Sequence, residues 1–225
     1  MTIRTSFVDW GAKITSIMFL PNCNFRCPYC HNAELINNPS SLQNFDLDEI
    51  LTKLKGYEGW IDGICISGGE PTIHKDLPEF IRYIRANCPQ MVKIDTNGTN
   101  PSMLQALIDE KLIEAVSMDV KAPLDDMRYY KAAGTSVDLS EIKKSIDILR
   151  DSGLDVEFRT TIHPDLFCKK DVEELCEQLK GAKQFKLQNF NIHAETLDPA
   201  YKGSEPFSEG EFEDLQKIAA EILGK

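Results

Sequence analysis

Strand-like and helix-like segments alternate along the whole chain, and this pattern limits the possible folds more than any other feature. The strand-like segments are short, apolar and rich in β-branched residues, and they cover residues 14–20, 61–67, 92–96, 114–120, 156–162 and 184–190. A helix-like segment follows each of them, and the helices begin near Asp46, Asp76, Asn100, Asp138, Asp171 and Ser208. Because consecutive βα units join parallel strands by right-handed crossovers, the sequence predicts an α/β fold. That fold is either a barrel or an open doubly wound sheet, in one domain over residues 1–225.

The charge and hydropathy of the chain exclude several functional classes. A net charge of −11 over 225 residues argues against a nucleic-acid partner and against an anionic membrane surface, because both attract clustered Lys and Arg. No segment reaches the roughly 18 apolar residues of a membrane-spanning helix. The first residues also lack the apolar core of a signal peptide, so we expect a cytoplasmic protein with no membrane partner.

The cysteines fall into two groups. Their number, seven, is odd and their spacing is uneven, which does not indicate a disulfide framework. Four cysteines stand alone in apolar or helical contexts, and we expect them to be core residues: Cys65, Cys88, Cys168 and Cys176. The other three, Cys23, Cys27 and Cys30, lie within eight residues of one another.

Three thiols at this spacing can hold one soft metal centre, either a zinc ion or an iron–sulfur cluster. A structural zinc site uses four closed ligands, typically as two well-separated pairs, and the sequence has no second pair. A cluster held by three thiolates leaves one iron open to a substrate or cofactor. Polar motifs also follow the next four strands, at residues 68–70, 95–98, 119–121 and 159–163. Since active sites of parallel α/β folds lie at the carboxyl ends of strands, we expect one composite site there.

The spacing Cys-x3-Cys-x2-Cys, with Tyr29 directly before the last cysteine, resembles the signature of radical S-adenosylmethionine (SAM) enzymes. The resemblance implies a partial (β/α)6 barrel in which Cys23, Cys27 and Cys30 hold a [4Fe-4S] cluster. It further implies that the amino and carboxylate groups of SAM chelate the open iron, and that the reduced cluster cleaves SAM to methionine and a 5′-deoxyadenosyl radical. The Tyr29 backbone would lie beside the adenine, or its ring would shield the cluster.

Two further motifs match the cofactor site of that family. Gly68, Gly69 and Glu70 match its GGE motif for the methionyl amine of SAM. Glycine permits close approach to the backbone, and Glu70 would pair with the ammonium group or with a Lys or Arg of the site. Asp95, Thr96 and Asn97 resemble the strand end that binds ribose, although the Asn97-Gly98 pair is equally a turn signal.

The ends of the last two strands give weaker predictions. Arg159 would steady an anionic group or a substrate carbonyl, or would be solvated. His193 follows the last strand, where the family contacts adenine. A lone histidine in such a position is more often hydrogen-bonded scaffold than a ligand.

Asp119 and Lys121 form a DxK pattern, which places both side chains on one face of a strand. The pattern resembles that of activating enzymes of glycyl radical proteins, and the resemblance implies that Lys121 contacts the SAM carboxylate. Asp95, Thr96, Asp119 and the Val120 carbonyl match positions that hold a monovalent cation in that subgroup. The alternative is a structural salt bridge between Lys121 and an aspartate.

The narrower resemblance is to anaerobic ribonucleoside-triphosphate reductase activating proteins and the pyruvate formate-lyase activating enzyme. It extends over these motifs and residues 5–9, and it departs at Trp10-Gly11, where a Pro-Gly turn is expected. It implies abstraction of a glycyl Cα hydrogen from a partner enzyme, with a low-potential electron donor such as flavodoxin or ferredoxin. A radical SAM enzyme for a small molecule or another peptide is the second hypothesis. The third is an electron-transfer module, against which the cofactor motifs argue.

Overall fold

The computed structural model describes residues 3–6, 9–42, 46–191 and 195–225, and its strands form one seven-stranded sheet. The strands are β1 Ile3–Ser6, β2 Thr15–Leu20, β3 Gly63–Gly68, β4 Met91–Thr96, β5 Ala115–Asp119, β6 Asp155–Ile162 and β7 Gln184–Asn189. β1 is antiparallel to β2, and β2 to β7 are parallel neighbours. The six predicted strands are confirmed, because each parallel strand lies close to its expected bounds.

The strand order decides between the two architectures that the sequence left open. A doubly wound sheet reverses its order at a switch point, whereas β2 to β7 follow one another in chain order without reversal. Crossovers of one hand then place the connecting helices on a single face, and the sheet curls around its other face. β1 and β7 are the two edges of the sheet. The fold is therefore an open, partial (β/α)6 barrel, as the resemblance implied.

The helices are α1 Ala33–Asn37, α2 Leu47–Gly56, α3 Leu77–Asn87, α4 Pro101–Asp109, α5 Asp126–Ala133, α6 Leu139–Asp151, α7 Lys169–Gln178 and α8 Glu209–Leu223. α4 and α8 begin directly after Asn100 and Ser208, as expected, and these two side chains cap them. α3 begins directly after Asp76, also as expected, but the Asp76 side chain makes no capping hydrogen bond to it. Within the described ranges, no helix combines the length and the apolar character needed to cross a bilayer.

The two faces of the sheet differ in polarity. In β6, alternate side chains are buried on the helix-covered face, while Glu157, Arg159 and Thr161 line the barrel interior. Lys93 and Asp95 occupy interior positions in β4. Charged groups therefore line the inside of the barrel, and a cavity lies at each end of it.

All seven cysteines are free thiols, and the structure corrects one prediction about them. Cys65, Cys88 and Cys176 are buried, as expected of core residues. Cys168 is exposed, and the core prediction for it is wrong. It directly precedes α7, where its N–H donates to the Asp171 carboxylate at 2.7 Å. Cys168 therefore lies at the start of a helix on the protein surface and not in the core.

Candidate functional site

A cavity of about 380 Å³ opens at the carboxyl ends of the parallel strands, a size typical of small-molecule sites. Its walls bring together most of the residues predicted for the composite site: Cys23, Cys27, Tyr29, Cys30, Gly68, Gly69, Glu70, Asp95, Thr96, Asn97, Asp119, Lys121 and Arg159. One predicted residue, Val120, is fully buried and does not line the wall. The prediction for His193 falls outside the described residues.

The cysteine loop between β2 and α1 carries three thiols into this cavity, and backbone hydrogen bonds hold it in place. The Asn22 N–H donates to the Leu35 carbonyl at 2.9 Å, and the Arg26 N–H donates to the Ala133 carbonyl at 2.8 Å. Ala133 ends α5, and the next residue, Gly134, has a left-handed φ of 67°. A Cβ at Gly134 would lie 2.0 Å from the Arg26 carbonyl oxygen. α5 therefore supports the loop from outside, and only glycine permits this close approach.

The Gly-Gly pair after β3 holds the loop from the other side. The Gly69 N–H donates to the Leu20 carbonyl at 2.9 Å, and a Cβ on Gly69 would lie 1.7 Å from the Asn22 carbonyl oxygen. The Gly68 carbonyl accepts a hydrogen bond from the Asn32 side chain at 3.0 Å. Both glycines therefore contact the segment that carries the cysteines. Their contact with the amine of SAM stays a prediction.

Burial keeps two of the thiols protonated in the free protein. It raises the pKa of Cys27 to about 12, despite the opposing charge of Lys121. Burial also raises the pKa of Cys23, although the Phe25 N–H, which donates to its Sγ at 3.3 Å, partly offsets this. Closely spaced thiols are the ligands that iron–sulfur clusters use, so the donor set fits such a cluster. Loading it must release protons, because the bound form is the thiolate.

The zinc alternative finds less support in this arrangement. A single zinc ion requires ligands that converge on one point, at about 2.3 Å from each sulfur. Among the residues that the structure describes, no three His, Cys, Asp or Glu side chains do so. His31 packs instead against Phe190, with ring centroids 5.7 Å apart.

Tyr29 lines the cavity, and its buried hydroxyl has no hydrogen-bond partner among the described residues. This leaves a polar atom for a bound group to satisfy.

Glu70 is a buried scaffold residue, only 1% exposed. Its carboxylate accepts hydrogen bonds from the Thr72 N–H at 3.0 Å, the Thr96 hydroxyl at 2.7 Å and the Asn97 N–H at 2.6 Å. Burial raises the pKa of Glu70, and these hydrogen bonds oppose the shift. These donors are neutral, and within the described residues no Lys or Arg forms an ion pair with Glu70, so the predicted pairing with such a side chain is wrong. The carboxylate ties the ends of β3 and β4 together, and its pairing with SAM stays a prediction.

Five side chains of alternating charge form a continuous row across three strand ends, which we call the charged row: Lys93, Asp95, Arg159, Asp119 and Lys121. Asp95 lies 2.6 Å from Lys93 Nζ and 3.4 Å from Arg159 Nη2. Asp119 lies 3.0 Å from Arg159 Nε and 3.0 Å from Lys121 Nζ. The salt bridge that the sequence left as the alternative for Lys121 is therefore present. Burial alone would raise the pKa of Asp119, but the charges of Arg159 and Lys121 lower it to about 2.

Sequence reasoning missed one member of the charged row, Lys93. This lysine is 2% exposed, and its Nζ also donates to the Asp9 carbonyl at 2.7 Å. A signal was available in the sequence, because Lys93 stands two residues before Asp95 in an otherwise apolar strand. That spacing places both on one face of a strand, and a charged pair on a buried strand needs a polar interior.

Comparisons with known proteins agree with this geometry. The family model described as the radical SAM superfamily matches residues 17–179. A protein of Methanocaldococcus jannaschii, provisionally named a glycyl-radical enzyme activating enzyme, is 34% identical in an alignment of 226 positions, which covers 98% of this chain and 91% of that protein. A Methanococcus maripaludis protein, provisionally named a GTP 3′,8-cyclase, is 31% identical in an alignment of 150 positions, which covers 64% of this chain and 48% of that protein.

A solved structure shares the fold at low sequence identity. The crystal structure of Streptococcus suis SuiB bound to precursor peptide SuiA superposes with a TM-score of 0.69 at 16% identity. The match covers 92% of this chain and 45% of SuiB. At this identity the likeness extends to the fold alone, and it agrees with the partial barrel described above.

Proposed function

The chain belongs to the radical SAM superfamily, and we propose that it activates a partner enzyme by abstracting a hydrogen from one of the partner's glycines. Family membership carries two cofactors, a [4Fe-4S] cluster and SAM. The observation that carries the finer proposal is the 34% identity to a protein provisionally named a glycyl-radical enzyme activating enzyme. That match extends over nearly the whole of both chains, whereas the match to a cyclase covers about half of the cyclase.

Residues of the cavity have separate tasks in this proposal. Cys23, Cys27 and Cys30 would hold three irons of the cluster. When bound, the reduced cluster and SAM supply a 5′-deoxyadenosyl radical as the hydrogen-abstracting species. Burial disfavours the ammonium form of Lys121, but the charge of Asp119 outweighs it and raises the pKa of Lys121 well above its ordinary value. Lys121 thus offers a permanent positive donor to the SAM carboxylate, in a charge-assisted hydrogen bond.

The open barrel supports a protein as the substrate. A glycine-bearing loop has to enter from the carboxyl ends of the strands, and a sheet that stays open between its edge strands β1 and β7 leaves more room than a closed barrel of eight strands. Ordering such a loop costs entropy, so a whole partner should react better than a short peptide. The partner we propose is an anaerobic ribonucleotide reductase, in an anaerobic cytoplasm, with flavodoxin or ferredoxin as the electron donor.

Isotope transfer tests this function directly. The reconstituted, reduced protein is incubated with SAM and an anaerobic ribonucleotide reductase whose glycines carry deuterium at Cα. We expect deuterium in 5′-deoxyadenosine and a glycyl radical signal by electron paramagnetic resonance. A partner with its target glycine changed to alanine is the matched control, and it should give neither.

A small-molecule substrate is the second candidate, and the likeness to a protein provisionally named a GTP 3′,8-cyclase favours it. The same reduced protein is incubated with GTP, and the nucleotides are analysed by mass spectrometry. A new product from GTP, together with no label transfer from any glycyl radical enzyme, would replace the activating-enzyme proposal. The electron-transfer hypothesis is set aside, because the family assignment makes the chain an enzyme.

A further inference from the structure

The four oxygen donors that the resemblance assigned to a monovalent cation all have protein partners. The carboxylates of Asp95 and Asp119 are members of the charged row, and each contacts two side-chain cations. The Thr96 hydroxyl donates to Glu70 at 2.7 Å and accepts from the Gly98 N–H at 3.1 Å. The carbonyl oxygen of residue 120 accepts a hydrogen bond from the Thr160 hydroxyl at 2.8 Å. An alkali ion at this position would have to compete with each of these partners.

The charges of the row also disfavour an added cation. Lys93, Arg159 and Lys121 supply three positive charges against the two negative charges of Asp95 and Asp119. The row therefore carries one net positive charge before any ligand binds. A further ion within about 3 to 4 Å of the same oxygens would face three like charges, in an interior where charges interact more strongly than in water.

Arg159 is placed and shaped to connect the two aspartates. It lies directly opposite Asp119 in the β5–β6 register, with Nε 3.0 Å from Asp119 and Nη2 3.4 Å from Asp95. A guanidinium group is planar, always charged and able to donate in two directions at once. Its side chain is 12% exposed, so water screens these contacts little.

We propose that Arg159 takes the place of the monovalent cation, so that this protein binds SAM without an alkali ion. Arg159 neutralises Asp95 and Asp119 together, and it fixes the Asp119 carboxylate against which Lys121 is set. Arg159 is thus a positioning residue, which acts on SAM through Asp119 and Lys121. The proposal rests on SAM binding by the family and is independent of the glycyl substrate.

The test measures SAM affinity by calorimetry on the cluster-loaded protein in potassium, sodium or choline chloride of equal ionic strength. The wild-type dissociation constant should be the same in all three salts. In Arg159→Gln the two aspartates lose their shared cation. We therefore expect Arg159→Gln to bind SAM about tenfold more weakly in choline than in potassium. Either alkali ion, potassium or sodium, should restore most of the wild-type affinity. Arg82→Gln is the matched control, because it breaks an exposed ion pair between Arg82 of α3 and Glu110 after α4, neither of which lines the cavity, and it should bind SAM as the wild type does.

A second readout keeps the test independent of SAM. Thallium(I), a probe for potassium sites, should show no line broadening in its NMR signal with the cluster-free wild-type protein, and broadening with Arg159→Gln. If Arg159→Gln does not fold, Arg159→Lys replaces it, since lysine keeps a positive charge but lacks the planar group with which Arg159 donates to both carboxylates. A several-fold stronger wild-type affinity for SAM in potassium than in choline, or thallium binding to the wild type, would overturn the proposal. Failure to activate any glycyl radical enzyme would affect only the proposed function.

Discussion

Replacing Gly69 by alanine tests whether the Gly-Gly pair is required to hold the cysteine loop. The added Cβ would lie 1.7 Å from the Asn22 carbonyl oxygen and 3.2 Å from the Cys23 nitrogen. These are backbone atoms, so no flexible side chain can turn away to make room. The loop must therefore move, and the hydrogen bond from the Gly69 N–H to the Leu20 carbonyl would lengthen or break.

The size of the effect follows from these contacts. Overpacking of a buried position costs about 1–3 kcal/mol, and a lost backbone hydrogen bond costs about 0.5–1.5 kcal/mol. Since the clash is with backbone, we expect a loss of about 3 kcal/mol in the free energy of unfolding. For a chain of this size that corresponds to a fall of roughly 6–12 °C in the melting temperature.

Urea unfolding and thermal melting of the metal-free Gly69→Ala protein measure the loss, and iron analysis after reconstitution shows whether the thiols still hold a cluster. Gly210→Ala is the matched control, because Gly210 lies in α8 and a Cβ there would have no neighbour within 4 Å. That change should leave stability unchanged or raise it by up to about 1 kcal/mol. If Gly69→Ala has the unfolding free energy and the iron content of the wild type, the Gly-Gly pair is not required to hold the cysteine loop.

Three further predictions concern the cluster, the cofactor and acid stability. Cys30→Ala should lose the cluster, whereas Cys88→Ala should keep about four irons and four sulfides per chain; stoichiometric zinc in place of iron would contradict both. Lys121→Ala should keep its cluster but bind SAM about tenfold more weakly in calorimetry, and equal affinity would leave this lysine a purely structural role. The pKa of Asp119 is about 2 in the folded protein and about 4 when unfolded, so its stabilising contribution is present above pH 4 and is lost between pH 4 and pH 2. The free energy of unfolding, measured with urea, should therefore change less between pH 4 and pH 2 for Asp119→Asn than for the wild type. Identical pH dependences would contradict the lowered pKa of Asp119.

Short-range patterns explain why so much of the fold could be predicted. The parallel strands are apolar and β-branched, and they pair with neighbours that follow next in the chain. α4 and α8 begin at capping residues that act within one helical turn. α5 could not be predicted, because it lacks such a short-range pattern. Its Met127 and Tyr130 are exposed, so the sequence shows no clear apolar stripe. The support that α5 gives to the cysteine loop depends on a contact with Arg26, which is distant in the sequence.

The sequence by itself determined the alternation of strands and helices, the cysteine spacing and the strand ends at which polar motifs would meet. Each of these depends on residues a few positions apart. The tertiary structure decided what depends on the order and curvature of the sheet. It selected the open barrel over the doubly wound sheet, and it placed Thr72, Thr96 and the Asn97 backbone around Glu70 as hydrogen-bond donors. It also set Arg159 between Asp95 and Asp119, since residues 40 and more positions apart become partners only when their strands lie side by side.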